Sequence, residues 1–106
     1  SYAEYLACVA GFARELRGLG VSGQRVALIL RNSIDHAIAH FAICAAGAQL
    51  APLNPAYTAH ELRPILADAN PALAIAEADL APLIDPLAAE LGIGRIIYLS
   101  PSRRLT

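Results

Sequence analysis

The chain has 106 residues, of which 57% are hydrophobic and only 16% charged, with a formal net charge of −1. That length holds one domain with a single core, and the charged share falls below the roughly 25% of an ordinary chain, so some faces are expected to lie against other protein. A near-neutral balance without blocks of like charge gives no electrostatic basis for binding nucleic acid or anionic lipid. The most apolar segment, Ala37 to Leu53, is interrupted by His40, Gly47, Gln49 and Pro52, well short of the 18 or more residues of a membrane span. The opening residues do not read as a signal peptide. Cys8 and Cys44 each fall in an apolar helical pattern, which reads as two buried, reduced thiols of a cytoplasmic protein and not as a disulfide or zinc site. All eight basic residues are arginine, so the chain has no lysine for a phosphate loop or a Schiff base.

Ser1-Tyr2-Ala3-Glu4 is a capping box, opening a helix whose stripe is Leu6, Val9, Phe12, Leu16 and Leu19. Gly18 and Gly20 end it. Gly18 to Gly23 formally matches G-x-G-x-x-G, but a helix precedes and a strand follows. The dinucleotide fingerprint requires the reverse order, so these glycines read as a helix stop and a turn. Gln24 to Leu30 is a nearly continuous apolar run, the mark of a strand buried on both faces. Ser33 caps the next helix, with Asp35 near its positive end and Gly47 beyond its last residue, Ala46. His36 and His40 lie at i and i+4 on that helix, yet no carboxylate shares their face; they read as a histidine pair and not as metal ligands.

Ala48 to Leu53 is the second strand. Thr58 and Glu61 form another capping box, Pro64 is expected to kink the helix that follows, and Asn70-Pro71 ends it. Ala72 to Ala76 is the third strand. Residues 79–91 are expected to form two short helical pieces, the first capped by Asp79 and the second by Asp85 with Pro86 at its first position, and Gly92 closing. Arg95 to Leu99 is the fourth strand. The domain is thus expected to span residues 1–99, with 100–106 an exit linker.

Strands alternating with helices require right-handed crossovers and a parallel sheet. The expected fold is α/β: a three-layer α/β/α Rossmann-like domain with a mainly parallel sheet of about four strands, in the order 2-1-3-4. Ligands of such sheets sit beyond the carboxyl ends of the strands, here Arg31-Asn32-Ser33, Asn54-Pro55-Ala56-Tyr57, Glu77-Ala78-Asp79 and Ser100. None of these loops is a catalytic constellation. Asn54 between two prolines reads first as a turn former and second as a polar ligand group. Arg31 and Arg63 read as solvated arginines that are also able to hold an anion. The residues alone describe an α/β domain without its own active site.

The motifs Ser1-Tyr2-Ala3-Glu4, Gly20-Val21, Arg25-Val26-Ala27-Leu28, Asn32-Ser33, Gly47-Ala48, Pro52-Leu53-Asn54-Pro55-Ala56-Tyr57-Thr58, Glu61-Leu62 and Asp68, in this order, resemble the start of the adenylate-forming (AMP-dependent synthetase/ligase) enzymes. These include acyl-CoA synthetases, nonribosomal adenylation domains and luciferase. Asn54 and Thr58 resemble the acyl-CoA synthetase branch, because adenylation domains usually carry Asp and Pro there. The resemblance implies the N-terminal subdomain of an acid–CoA ligase of fatty acid metabolism. A carboxylate attacks ATP to give an acyl-adenylate and pyrophosphate, then the CoA thiol displaces AMP.

ATP, CoA and Mg are the implied cofactors of the full enzyme, none of them held tightly by this portion. The implied partners are a carboxylic acid substrate and the remainder of the same polypeptide. The family's phosphate loop, nucleotide-binding aspartate and catalytic lysine lie downstream, so no catalytic residue or metal ligand is assigned here. Asn54, Pro55, Ala56 and Tyr57 are implied to lie near CoA, where some relatives carry an arginine at the position of Ala56. Arg31 stands where the family commonly has proline. Two other readings compete: a free-standing α/β binding module, and part of a nonribosomal peptide adenylation domain.

Overall fold

A computed structural model describes residues 1–106. The elements are α1 (Tyr2–Gly18), β1 (Arg25–Ile29), α2 (Ile34–Ala45), β2 (Gln49–Pro52), α3 (Ala59–Ala69), β3 (Leu73–Glu77), α4 (Ala81–Leu91, entered through a 3-10 turn, Ala78–Leu80) and β4 (Ile96–Leu99). The four strands form one sheet in the order β2-β1-β3-β4, as expected, and every pairing is parallel. The two apolar strands, β1 and β3, take the centre, where both faces are dry and alternation would leave polar side chains unsatisfied.

Successive side chains of a strand point to opposite faces. Val26, Leu28, Leu73, Ile75 and Leu99 therefore pack with Phe12, Leu16 and Ile43 of α1 and α2. Ala27 and Ala74 meet Leu62 and Leu66 of α3 and Leu87 of α4, and Ile29 and Ala76 meet Ile84 of α4. The result is three layers with one helix pair on each side.

Caps behave largely as their residue types dictate. The Ser33 hydroxyl accepts the His36 amide at 3.2 Å. Both halves of the Thr58–Glu61 box are made: the Glu61 amide donates to Thr58 Oγ1 at 3.3 Å, and the Thr58 amide donates to Glu61 Oε1 at 3.0 Å. Asn70 ends α3 with φ 44°, in the left-handed region. The helix thus stops before Pro71 as expected, but through a conformation that asparagine tolerates and not through an extended one.

Four expectations are corrected. Residues 79–91 do not break at Asp85-Pro86; α4 runs through Pro86, because Ile84, Leu87 and Ala88 bury one continuous face on either side of it, and packing overrides the proline signal. Asp79 makes no cap, its carboxylate being taken by Arg31. The thiols are not buried: Cys8 is half-buried and Cys44 exposed, because the small residues Ala39 and Ala42 and not Cys44 make the close approach of α2. Leu6, assigned to the core stripe, is 48% exposed; no residue of α1 before Phe12 is buried. α3 runs through Pro64 to Ala69, as expected, with the proline on its exposed side.

Candidate functional site at the carboxyl edge of the sheet

The loop after β2 begins where the Leu53 amide donates to the Leu28 carbonyl at 2.9 Å, extending the ladder by one bond. Asn54 then folds the chain with its own side chain: Oδ1 accepts the Ala56 amide at 2.9 Å, and its carbonyl accepts the Tyr57 amide at 3.1 Å. This is the asparagine turn expected from the residue type. Tyr57 packs its ring against the α3/α4 core beside Leu53, while Asn54 and Ala56 remain exposed. The four residues 54–57 therefore stand together as a short, uncharged wall at the strand end, with the acceptor of Asn54 already engaged.

Across the sheet the carboxyl ends of β1 and β3 are bridged by charge. Arg31 binds Asp79 in a two-point fork, Nη2 to Oδ2 at 2.8 Å and Nη1 to Oδ1 at 3.2 Å, with Glu77 Oε2 at 3.8 Å from Nη1. The bond to Asp79, then its charge, raises the Arg31 pKa further above its ordinary value. Glu77 also lies 3.6 Å from Arg104, which pairs with Asp35. Asp35 is only 4% exposed and accepts the Leu105 amide at 3.2 Å as well. Arg31, Glu77, Asp79 and Arg104, with Ser100, line a groove of about 340 Å³. Three carboxylates face two guanidinium groups, so the network carries a net charge of −1 and offers no uncommitted cation to an anionic ligand. Arg63, the other arginine considered for an anion, is paired with Glu90 at 2.9 Å.

The histidines are not gathered. His36 and His40 are half-buried on α2, His40 against the ring of Phe41 with centroids 5.2 Å apart, and His60 lies in the first turn of α3. No group of three or more His, Cys, Asp or Glu is arranged to hold a metal. Sequence reasoning missed Asp35 and Arg104 as partners. The available signal was the pair Arg103-Arg104 in a chain poor in charge, together with an aspartate in the first turn of an otherwise apolar helix.

Residues 100–106, expected to leave as a linker, fold back over this edge. Ser100 and Arg103 exchange backbone bonds at 3.0 and 3.2 Å, Arg103 pairs with Glu15 of α1 at 2.6 Å, and Leu105 packs on the α1/α2 core.

Known proteins share this fold. The family model described as AMP-binding enzyme matches residues 1–104. Tyrocidine synthase 3 of Brevibacillus parabrevis is 35% identical over 80 residues, covering 74% of this chain and 1% of that protein. The long-chain-fatty-acid–CoA ligase FadD13 of Mycobacterium tuberculosis is 33% identical over 91 residues, covering 85% of this chain and 18% of that protein. The crystal structure of ATP-bound MatB from Rhodopseudomonas palustris superposes with a TM-score of 0.86 at 32% identity, over 98% of this chain and 21% of that one. The chain thus spans about a fifth or less of each.

Proposed function

The chain belongs to the AMP-binding enzyme family and corresponds to its N-terminal region, and from that premise we propose that it is the first subdomain of an ATP-dependent acyl-CoA synthetase. In this reading it is a scaffold and not a catalytic centre. The observation that carries the scaffold role is the committed charge at the carboxyl edge: Arg31 and Arg104 are held by Asp79, Glu77 and Asp35, and the chain has no lysine. The residues present do not fit a triphosphate, which requires uncommitted cations or a glycine-rich loop of amides. ATP and Mg²⁺ are therefore assigned to the remainder of the enzyme, as is the chemistry of acyl-adenylate formation.

For CoA, the neutral turn Asn54-Pro55-Ala56-Tyr57 is proposed as a wall beside the nucleotide end. Ala56 has no charge with which to contact a phosphate, so the turn shapes that site without binding it. The proposed subdomain has residues 1–99 as its body, with 100–106, folded back along its carboxyl edge, as the segment that leads out of it. The full enzyme's substrate is a carboxylic acid, in keeping with the fatty acid named for FadD13, and its setting is fatty acid metabolism. A cytoplasmic location accords with two free cysteines.

A nonribosomal adenylation domain is the second reading, favoured by the 35% identity to tyrocidine synthase 3; Asn54 and Thr58 weigh toward the CoA branch. The test is ATP–pyrophosphate exchange by the full polypeptide over a panel of carboxylic and amino acids, followed by trapping of the product. Exchange and a CoA thioester are expected; no exchange with any acid overturns the ligase reading, and product on a carrier protein selects the second. Residues 1–106 alone are expected to give none, and exchange above background by them overturns the scaffold role.

A further inference from the structure

Glu77 is the one carboxylate that two arginines share. It is the last residue of β3 and stands in register with Leu99, the last of β4, so it borders the point where residues 100–106 turn back. Its side chain is only 12% exposed. Yet its Oε2 lies 3.8 Å from Arg31 Nη1 and 3.6 Å from Arg104 Nη1, both beyond the roughly 3.2 Å of a direct N–H···O bond. The carboxylate is suspended between two guanidinium groups and bonded to neither. Each arginine has a nearer partner, Asp79 for Arg31 and Asp35 for Arg104. Among the influences that raise the Arg31 pKa, the bond to Asp79 and the charge of Asp79 come before the charge of Glu77.

Asp79, Arg31, Glu77, Arg104 and Asp35 thus form a row of alternating sign, from the 3-10 turn after β3 to the first turn of α2. Its middle member faces a choice. A shift of about 1 Å toward either arginine would complete a charge-assisted bond and lengthen the other contact. Arg31, Glu77, Asp79 and Arg104 all line the groove of about 340 Å³, which leaves the carboxylate room for that shift. Arg103 and Leu105 hold residues 100–106 independently, through Glu15 and the α1/α2 core, so Glu77 adjusts that hold and does not supply all of it.

We propose that Glu77 is a toggle that couples the Arg31–Asp79 fork to the strap formed by residues 100–106. When Arg31 is lost or drawn away, Glu77 closes on Arg104 and the strap tightens. When Asp79 is lost or drawn away, Arg31 claims Glu77 and the strap loosens. The carboxyl ends of the strands are where ligands of open parallel sheets bind, so a change of charge at the Arg31–Asp79 end is carried to the strap. The inference uses only contacts within this chain and holds whichever acid the enzyme activates.

Amide hydrogen exchange in the full polypeptide, read on the peptic peptide that spans residues 100–106, tests the coupling, because exchange follows local opening. The Leu105 amide, bonded to Asp35, and the Arg103 amide, bonded to Ser100, are the reporters. Arg31→Gln is expected to slow their exchange about threefold and Asp79→Asn to speed it by about as much, the size of a partly exposed ion pair. Both side chains are more than half exposed, so neither substitution disturbs the core, and slow exchange in the peptide carrying β1 verifies the fold. A missing charge acts in the same directions through its field alone, so both substitutions are repeated with Glu77→Gln, where both effects are expected to vanish. Persistence of either effect with Glu77→Gln assigns it to the field and overturns the proposal. Single substitutions that leave exchange unchanged, or shift it in the same direction, overturn it as well.

Discussion

At the scale of single residues, Tyr98 and Asp85 show one carboxylate deciding between two roles. The Tyr98 hydroxyl donates to Asp85 Oδ1 at 2.5 Å, tying edge strand β4 to the middle of α4. An Asp-Pro pair reads locally as a helix start, and only the tyrosine thirteen positions later makes it a cross-link. Burial, and then the bond to Asp85, raise the Tyr98 pKa above its ordinary 10.0. The folded state therefore keeps this proton where the unfolded chain loses it. The associated stability is complete below pH 10.0 and is lost as pH rises toward the folded value. Tyr98→Phe is expected to cost about 1 kcal/mol at neutral pH, below the usual range for a charge-assisted bond because the pair is partly solvated. The variant is also expected to flatten the alkaline decline, and urea unfolding on either side of pH 10.0 reads both effects. An equal decline in the variant would assign it to other groups.

At the scale of elements, the most local signals were the most legible. The Thr58–Glu61 box opens α3 where Thr-x-x-Glu places it. The Glu61 carboxyl is held below its ordinary value, first by the Thr58 amide and then by the Thr58 hydroxyl. That contribution is present above pH 4.5 and fades as pH falls through the lower folded value. Thr58→Ala leaves the Glu61 amide without its acceptor, and thermal melting is expected to show a loss of about 1 kcal/mol; an unchanged midpoint would mean that water caps the helix equally well. The central strands were legible because apolar runs such as Val26 to Leu30 suit only a sheet covered on both faces, and helical crossovers then fixed them as parallel. Less legible was any element whose fate depends on a distant surface. α4 passes through Pro86 because Ile84 and Leu87 are held by β1, β3 and α3, which a window of eleven residues does not contain. The turn at Asn54 was read correctly from its neighbours, since both of its hydrogen bonds are made within three residues.

At the scale of the whole molecule, the tail is where local reading fails most clearly, and the reason is distance along the chain. Ser100-Pro101-Ser102 has the composition of a linker, but Arg103 and Arg104 find carboxylates at Glu15 and Asp35, 88 and 69 positions away, and Leu105 finds Asp35 at 70. These contacts join α1, α2 and the end of β3 to the tail, so they hold residues 103–105 against the carboxyl edge of the sheet. Asp35 is the hub. Its carboxylate is nearly buried, and it meets both a guanidinium and a backbone amide. Removing one partner of such a group costs more than the intact pair contributes, because the other is left with an incomplete shell. Asp35→Ala is expected to free the tail by about 2 kcal/mol, whereas Asp35→Asn retains an oxygen for the Leu105 amide and frees it less. In the intact polypeptide, trypsin cleavage after Arg103 and Arg104 reports the opening, since cleavage of a transiently opened segment follows its population when reclosing is fast. A change of about 2 kcal/mol corresponds to roughly thirty-fold faster cutting for Asp35→Ala, with Asp35→Asn between it and the parent. Equal rates in all three proteins would mean that residues 103–105 are held by the packing of Leu105 on the α1/α2 core and not by the charges.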